Sequence, residues 1–483
     1  MNTKNREYNV RPIEDILKDP TCRLDVTYWK QFAVDFNKQS QFEIKTLMQI
    51  GDIRDETIEQ QTLIKDVYYR FKITYTGKVE LKDPIPIDEI KSKDSMKVVK
   101  TDDLVLSRIN ASNGSVGIIQ EFQNDAICTN ETHVFSVADP TVDVRYLHIV
   151  LRHPYYRDLI LSQSTGASIE RKRLSEKALL SFEVPVPPLP KQLELIRQVE
   201  QHEDVIRNNT INIERLRKER NRFVLKELGI DLVYEKSNEE QYPLMVSDIL
   251  ANQYARFDFE HNKPSFDMIG KIEQCKYPLV EIGSKEPSEK ILLENITSGS
   301  TPVGGIYPIK GIPFVQAGNV CENGLDMSEH EYITSEFHKS LSRSRLTGNE
   351  ILVTIAGTIG RVGVNTEITD GNVNQAIAVL RLNDKMLPLF LSAFLNSDAG
   401  QIQFDKYRHD FGTPNINQTE LARIRVPLPS IEKQRQIIIV VKDFEQKIND
   451  ALKESKKSEN MRSIVFLIIV SMTVIFIFFR CKN

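Results

Sequence analysis

Val184-Pro185-Val186-Pro187-Pro188-Leu189-Pro190-Lys191-Gln192 and Val426-Pro427-Leu428-Pro429-Ser430-Ile431-Glu432-Lys433-Gln434 say nearly the same thing about 242 residues apart. In each, a rigid, proline-punctuated strand end feeds a long charged helix. A motif of this kind used twice marks a duplicated module, and self-similarity at a fixed spacing sets the architecture before any local motif is weighed. The repeat extends upstream. Cys22-Arg23-Leu24-Asp25 has a counterpart in Ala255-Arg256-Phe257-Asp258. Asp103-Leu104-Val105-Leu106-Ser107, running on to Val116-Gly117, parallels Glu350-Ile351-Leu352-Val353-Thr354, running on to Val362-Gly363. Each of these is an apolar strand, a small polar turn and a returning strand.

At 483 residues the chain is too long for one core and suits two modules with helical segments between them. A net charge of −4 excludes a protein coated in basic surface, so contact with nucleic acid has to come from local clusters. Five cysteines in odd number, with no CxxC spacing, read as reduced thiols. The polar N-terminus has no signal-peptide core.

The fold class that follows is α/β, with two repeated modules separated by two long helices packed as an antiparallel coiled coil. The boundaries expected are a first module over 1–188, a first spacer helix over 189–229 and a linker over 230–247. A second module over 248–428, a second spacer helix over 429–460 and an apolar tail over 461–483 complete the chain. Heptad spacing places Val199, Ile206, Ile213, Leu216 and Phe223 on one helix seam and Val441, Phe444, Ile448 and Ala451 on the other. His202 and Asn209 fall on the first seam as polar register markers. A helix over 191–228 would be about 57 Å long, a strut suited to a long, repetitive ligand such as duplex DNA.

The tail departs from a soluble pattern. Ser463 to Phe479 is continuously apolar apart from Ser and Thr, and is flanked by Lys and Arg. A helix of this length spans about 25 Å, just short of a hydrocarbon core. Membrane anchor, degenerate end and buried terminal helix all stay open as readings.

The most specific stretch lies in the second module. Ile296-Thr297-Ser298-Gly299-Ser300-Thr301-Pro302 leads to Gly311-Ile312-Pro313-Phe314-Val315 and Gly318-Asn319-Val320, then to Ile351 through Gly363, and the proline–helix motif closes it. This order resembles the target recognition domain of type I restriction–modification specificity subunits, and the resemblance covers nearly the whole chain. It implies two target-recognition modules, each followed by a spacer helix. The first copy lacks the Ser-Gly-x-Thr-Pro stretch, and the apolar tail lies beyond the point where such proteins usually stop.

The resemblance also implies a role. The chain would be a reader without chemistry of its own, binding double-stranded DNA with one half-site per module. Its other partners would be adenine methyltransferase subunits, two of them, and endonuclease/translocase subunits. S-adenosylmethionine, Mg and ATP would bind those partners and no cofactor would bind this chain. The location would be cytoplasmic, with membrane contact through 463–479 if the tail is an anchor.

The residues fit a reader. Arg reads guanine, Asn or Gln reads adenine, and Lys or Arg neutralises phosphates. Candidates in the first copy are Arg108, Asn110, Asn113, Asn130, Arg171, Lys172 and Arg173. In the second they are Thr301, Gln316, Asn319, Thr358, Arg361, Asn372, Gln375, Lys406, Arg408 and His409. The clusters 171–173 and 406–409 lie just before the two proline motifs, close to equivalent positions. For each residue the competing reading is a solvated side chain or a turn-stabilising amide.

Catalytic signals are weak. Gly357, Gly360 and Gly363 have GxxGxxG spacing followed by a β-branched strand, which is a tight turn rather than a dinucleotide loop. There is no GxxxxGK[ST] loop, no zinc spacing and no Gly-x-Ser-x-Gly elbow. Glu43-Ile44-Lys45 and Glu89-Ile90-Lys91 have the Glu-x-Lys form of some Mg²⁺ nucleases, yet roughly two such triplets arise by chance at this length. Two other classes therefore stand beside the reader. One is a membrane-tethered adaptor with two protein-binding modules, and the other an autonomous nuclease using Glu43 or Glu89.

Overall fold

The computed structural model describes residues 42–61, 64–165, 172–234, 264–284, 292–302, 307–409 and 413–471. Two compact units divide the chain. Residues up to Asn209 join those from Lys453 onward, and Thr210–Leu452 form the other.

Each unit is built on a four-stranded sheet. In the first the order is Gly51–Ile53, Thr132–Val137, Leu104–Ser107 and Val116–Ile118, all antiparallel. In the second it is Leu293–Ser298, Ile377–Leu382, Ile351–Thr354 and Val362–Val364, again all antiparallel. The central strands are apolar without a break because both faces are covered. Leu104 and Leu106 enter the core beneath the helices Val144–Leu151 and Pro154–Gln163, while Val105 faces a second core with Val79, Val99 and Val134. Ile351 and Val353 likewise pack with Phe390 and Phe394, and Leu352 faces Val315, Ile377 and Val379. The alternation is the two-residue period of a strand, and each such buried side chain contributes about 1.5–3 kcal/mol.

The proline segments are short strands followed by helices. Glu183–Val186 pairs antiparallel with Glu43–Thr46, and Arg425–Pro427 with Leu279–Glu281. In such two-stranded pieces a proline nitrogen needs no ladder partner. Helix Leu189–Leu228 starts at once, with Pro190 in its first turn, and ends at Gly229, whose φ of +73° suits glycine.

The buried glutamines of the two motifs make one device twice. Gln192 and Gln434 are both 0% exposed. Gln192 Nε2 donates to the Thr141 and Pro187 carbonyls, and its Oε1 accepts from the Asp143 N–H. Gln434 donates to the Lys385 and Pro429 carbonyls and accepts from the Leu387 N–H. Each side chain thereby ties the start of its helix to the loop that follows the central sheet.

The structure corrects several boundaries. The second long helix runs Ile431–Ser471, well past residue 460. At the spacing of the repeat, residues 462–471 correspond to 220–229, the docking end of the first helix. Phe223, Val224, Leu225 and Leu228 pack with the second unit's core, and Val465, 3% exposed, enters the first unit's core. The expected linker begins late, since Ile230 and Leu232 are buried in the second core. The seam is also shared out. Ile213, Leu216, Ile448 and Ala451, with Phe444 beside them, pack helix on helix. Val199 belongs to the first unit's core, while Val441 and Phe223 pack with the second's. Ile206 is half-buried, as is His202, and Asn209 donates to Glu454 across the helix pair. Among the described residues no helix is long and apolar enough to cross a membrane, and 472–483 lie outside them.

Candidate nucleic-acid interface

In the second unit four loops meet at one end of the central sheet. The Ile355 N–H donates to the Ala376 carbonyl, the Asn374 N–H to that of Val315, and the Gly357 N–H to that of Pro414. Gln418 Nε2 donates to Ser298 Oγ at 2.9 Å, bringing the strand end before Thr301 to the same place. Thr301, Thr358, Arg361 and Gln375 are exposed there, and Gln316 is half-buried. The turn between the central strand Ile351–Thr354 and the edge strand Val362–Val364 has Gly357 at φ +73° and Gly360 at φ +85°, so it is the tight turn expected and not a phosphate loop before a helix. Thr354 Oγ1 accepts from the Arg361 N–H at 3.0 Å, which anchors the base of the turn and leaves the guanidinium outside.

Two candidates of this unit serve the fold instead. Asn319 Nδ2 donates to the Asp326 and Glu329 carbonyls, and its Oδ1 accepts from the Gln316 N–H. Asn372 is fully buried, donating to the Leu341 carbonyl and to Ser344 Oγ and meeting His338 Nδ1 through its Oδ1. With every polar atom engaged, neither amide can read a base. Arg408 is paired with Asp405 at 3.1 Å, and His409 Nε2 lies 2.6 Å from Glu420. Lys406 is half-buried at the end of helix Asp398–Tyr407.

The first unit presents the equivalent end. The Arg108 N–H donates to the Glu131 carbonyl, while its guanidinium donates to the Leu174 and Asn130 carbonyls at 3.3 and 3.2 Å. Asn110 opens a short turn in which Asn113 is exposed and Gly114 takes φ +100°. Beneath lies an open cleft of about 440 Å³ lined by Asp55, Asp94, Lys97, Arg108, Asn130, His133 and Glu176 among others. Lys97 is paired with Asp55. Burial pushes the His133 imidazole below its usual range, and Nε2, 2.9 Å from the Leu174 carbonyl, is then the protonated nitrogen of a neutral ring. With Asp55, Asp94 and Glu176 against Lys97 and Arg108 the cleft carries a slight acidic excess, so its chemistry is directional hydrogen bonding more than phosphate capture. Lys97 and His133 carried no sequence signal, because each sits in an apolar strand like any filler residue.

The basic clusters are not equivalent. Thr165 bridges Arg173 in the first unit, and His409 bridges Asn415 in the second, so 406–409 occupies the first limb of a loop and 172–173 the second limb of its counterpart. Arg173 pairs with Glu131 at 2.9 Å, Lys172 is half-buried, and Arg171 lies outside the described residues.

No group of three or more His, Cys, Asp or Glu that could hold a metal ion occurs among the described residues. The Glu43 triplet sits on the strand that pairs with the proline segment, and its Lys45 is bound to Asp139 at 2.7 Å. Glu89 closes a single 3-10 turn.

Residues 296–459 match the family model described as the type I restriction modification DNA specificity domain. Over that third of its length the chain is similar to type I restriction–modification DNA specificity domains. It is 25% identical over 345 residues to the type I restriction enzyme EcoBI specificity subunit of Escherichia coli. That alignment covers 68% of this chain, which spans 65% of the length of that relative. Among solved structures, the type I restriction–modification S subunit from M. genitalium is 14% identical, with 90% of this chain and 98% of that one covered and a TM-score of 0.46. The HsdS subunit from Thermoanaerobacter tengcongensis is 15% identical, with 89% and 97% covered and a TM-score of 0.37. The specificity-domain match takes in all the second-unit candidates from Thr301 to His409 and none of those in the first unit.

Proposed function

We propose that the chain is the DNA-reading subunit of a type I restriction–modification complex, with each module reading one half of a bipartite target. The observation that carries this reading is the duplication itself. Two units repeat one sheet and one glutamine device, and each presents polar, partly exposed loops at the corresponding end. Arg361, Thr358, Gln375 and Thr301 form the reading edge of the second module, and Arg108, Asn113 and Asn130 that of the first. In this reading the chain is cytosolic and non-catalytic, and the helix pair sets the spacer. Adenine methyltransferase subunits would supply S-adenosylmethionine chemistry and base flipping, while endonuclease/translocase subunits would use ATP and Mg. Nothing observed favours the tethered adaptor or the autonomous nuclease.

The test is to co-express the full chain with an adenine methyltransferase subunit and offer the complex a randomised duplex library. Methylated duplexes should share a two-part motif with a fixed spacer. Exchanging residues 248–428 for another such module should then change one half of the motif and leave the other. A motif without two parts, or an exchange that alters both halves together, sinks the reading.

A further inference from the structure

The repeat reaches the charged residues of the two long helices. Arg220 and Glu445 recur at the same spacing as Arg462 and Glu203. In the second unit Arg220 of the first helix donates to Glu445 of the second at 2.5 Å. In the first unit Arg462 of the second helix stands 3.7 Å from Glu203 of the first. One ion pair is thus made twice, with the helices exchanging roles.

The two versions differ in how much they hold. Arg462 and Glu203 are 36% and 41% exposed, and 3.7 Å is a contact that solvent screens. Arg220 is 1% exposed and also donates to Glu322 at 2.8 Å. Glu445 accepts in addition from Asn323 Nδ2 at 2.7 Å, and Asn323 Oδ1 accepts from Ser392 Oγ and Asn396 Nδ2 at 2.8 and 3.1 Å. Asn323 holds a left-handed φ of +60°, which asparagine tolerates better than other residues with a side chain, and its amide enters the network. A continuous set of directional bonds therefore links both helices to the helix that covers the central sheet. Such a buried network adds little net stability over apolar packing, but its geometry allows one register.

We infer that Arg220, Glu445 and Asn323 are positioning residues, which fix the turn of the paired helices on which the second module sits and so the spacer that the chain accepts. The inference rests on the DNA-reading function proposed above.

The test compares the wild-type complex with the neutral variant Arg220→Met/Glu322→Gln/Glu445→Gln, and with Glu445→Gln alone as the milder change. Methylation is read on duplexes carrying the recovered half-sites, with the spacer one base pair shorter, unchanged or one longer. Wild type should favour its own spacer by about 100-fold, because a misplaced second half-site forfeits simultaneous engagement. In the neutral variant that preference should fall to about tenfold or less, with both half-site sequences unchanged. The milder variant should fall between the two. Spacer preference kept at the wild-type level in a folded variant overturns the inference. If the triple variant does not fold, Glu445→Gln decides by the same criterion. A wild-type complex that shows no two-part motif is a separate, visible failure that removes the functional reading and this inference with it.

Discussion

The two modules solve the same problems with different side chains. The Val116 carbonyl of the first takes its hydrogen bond from His148 Nε2, and the corresponding Val362 carbonyl of the second takes it from Ser392. Tyr146 and Tyr156 hold the first proline strand through the Pro185 and Glu183 carbonyls, whereas Gln403 holds the second through both the N–H and the carbonyl of Arg425. Backbone geometry has outlasted the identity of the groups that satisfy it. A repeat of this kind preserves places where a polar atom must be paired, not the residues that pair it.

If the modules are equivalent, matching substitutions should cost matching amounts. The largest effect expected is Phe135→Ala, which empties a fully buried site in the first central sheet and should destabilise that unit by about 3–5 kcal/mol. Leu380→Ala at the corresponding strand of the second unit should cost about 2–5 kcal/mol, each read by urea denaturation with hydrogen exchange to assign the unit. Equal effects on both units from either change would break the division. Next come Gln192→Ala and Gln434→Ala, which each orphan one buried N–H and two carbonyls and should cost about 3 kcal/mol in the unit that carries them. A cost under about 1 kcal/mol for either would show that the device is ornamental there.

Smaller effects separate the modules. Arg361→Ala should weaken DNA binding by about 1–3 kcal/mol and relax sequence preference in one half-site only. Uniform weakening with a shallower salt dependence would instead make Arg361 a phosphate contact. The smallest effect concerns pH. Burial pushes His148 down to about 4, so the folded first unit keeps it neutral while the unfolded chain protonates it below about 6.5. Stability of that unit should therefore fall as pH drops from about 6.5 towards 4, and His148→Ser should make the slope shallower, with His133 and His153, also pushed down by burial, keeping the rest. Ser392 gives the second unit no such term at the matching position. Thermal melts across this range that lose both units in parallel would argue against it.

Much of the fold was legible because it depends on pattern. Apolar runs around Leu104-Val105-Leu106 and Ile351-Leu352-Val353 mark central strands, and the repeated proline motifs mark where strand becomes helix. The interface was less legible because it depends on direction. Asn319 and Asn372 have the composition of base readers, yet their amides turn inward to backbone carbonyls. Gln375 and Asn130, of the same chemistry, are exposed. The basic clusters were paired wrongly because the loop between Thr165 and Arg173 is longer than that between His409 and Asn415. The apolar segment after Arg462 looked foreign, although its beginning repeats the place of Phe223 in the first helix.

That a strand of the first core and Val465 share one hydrophobic cluster has a consequence for how the protein is born. Thr210–Leu452 is continuous in sequence and can complete itself as soon as it leaves the ribosome. The N-terminal unit is made first but lacks a piece that is translated only after that whole intervening stretch. The order of synthesis and the order of completion are thus reversed, and the early unit must wait, part of its core uncovered, for the late helix to arrive.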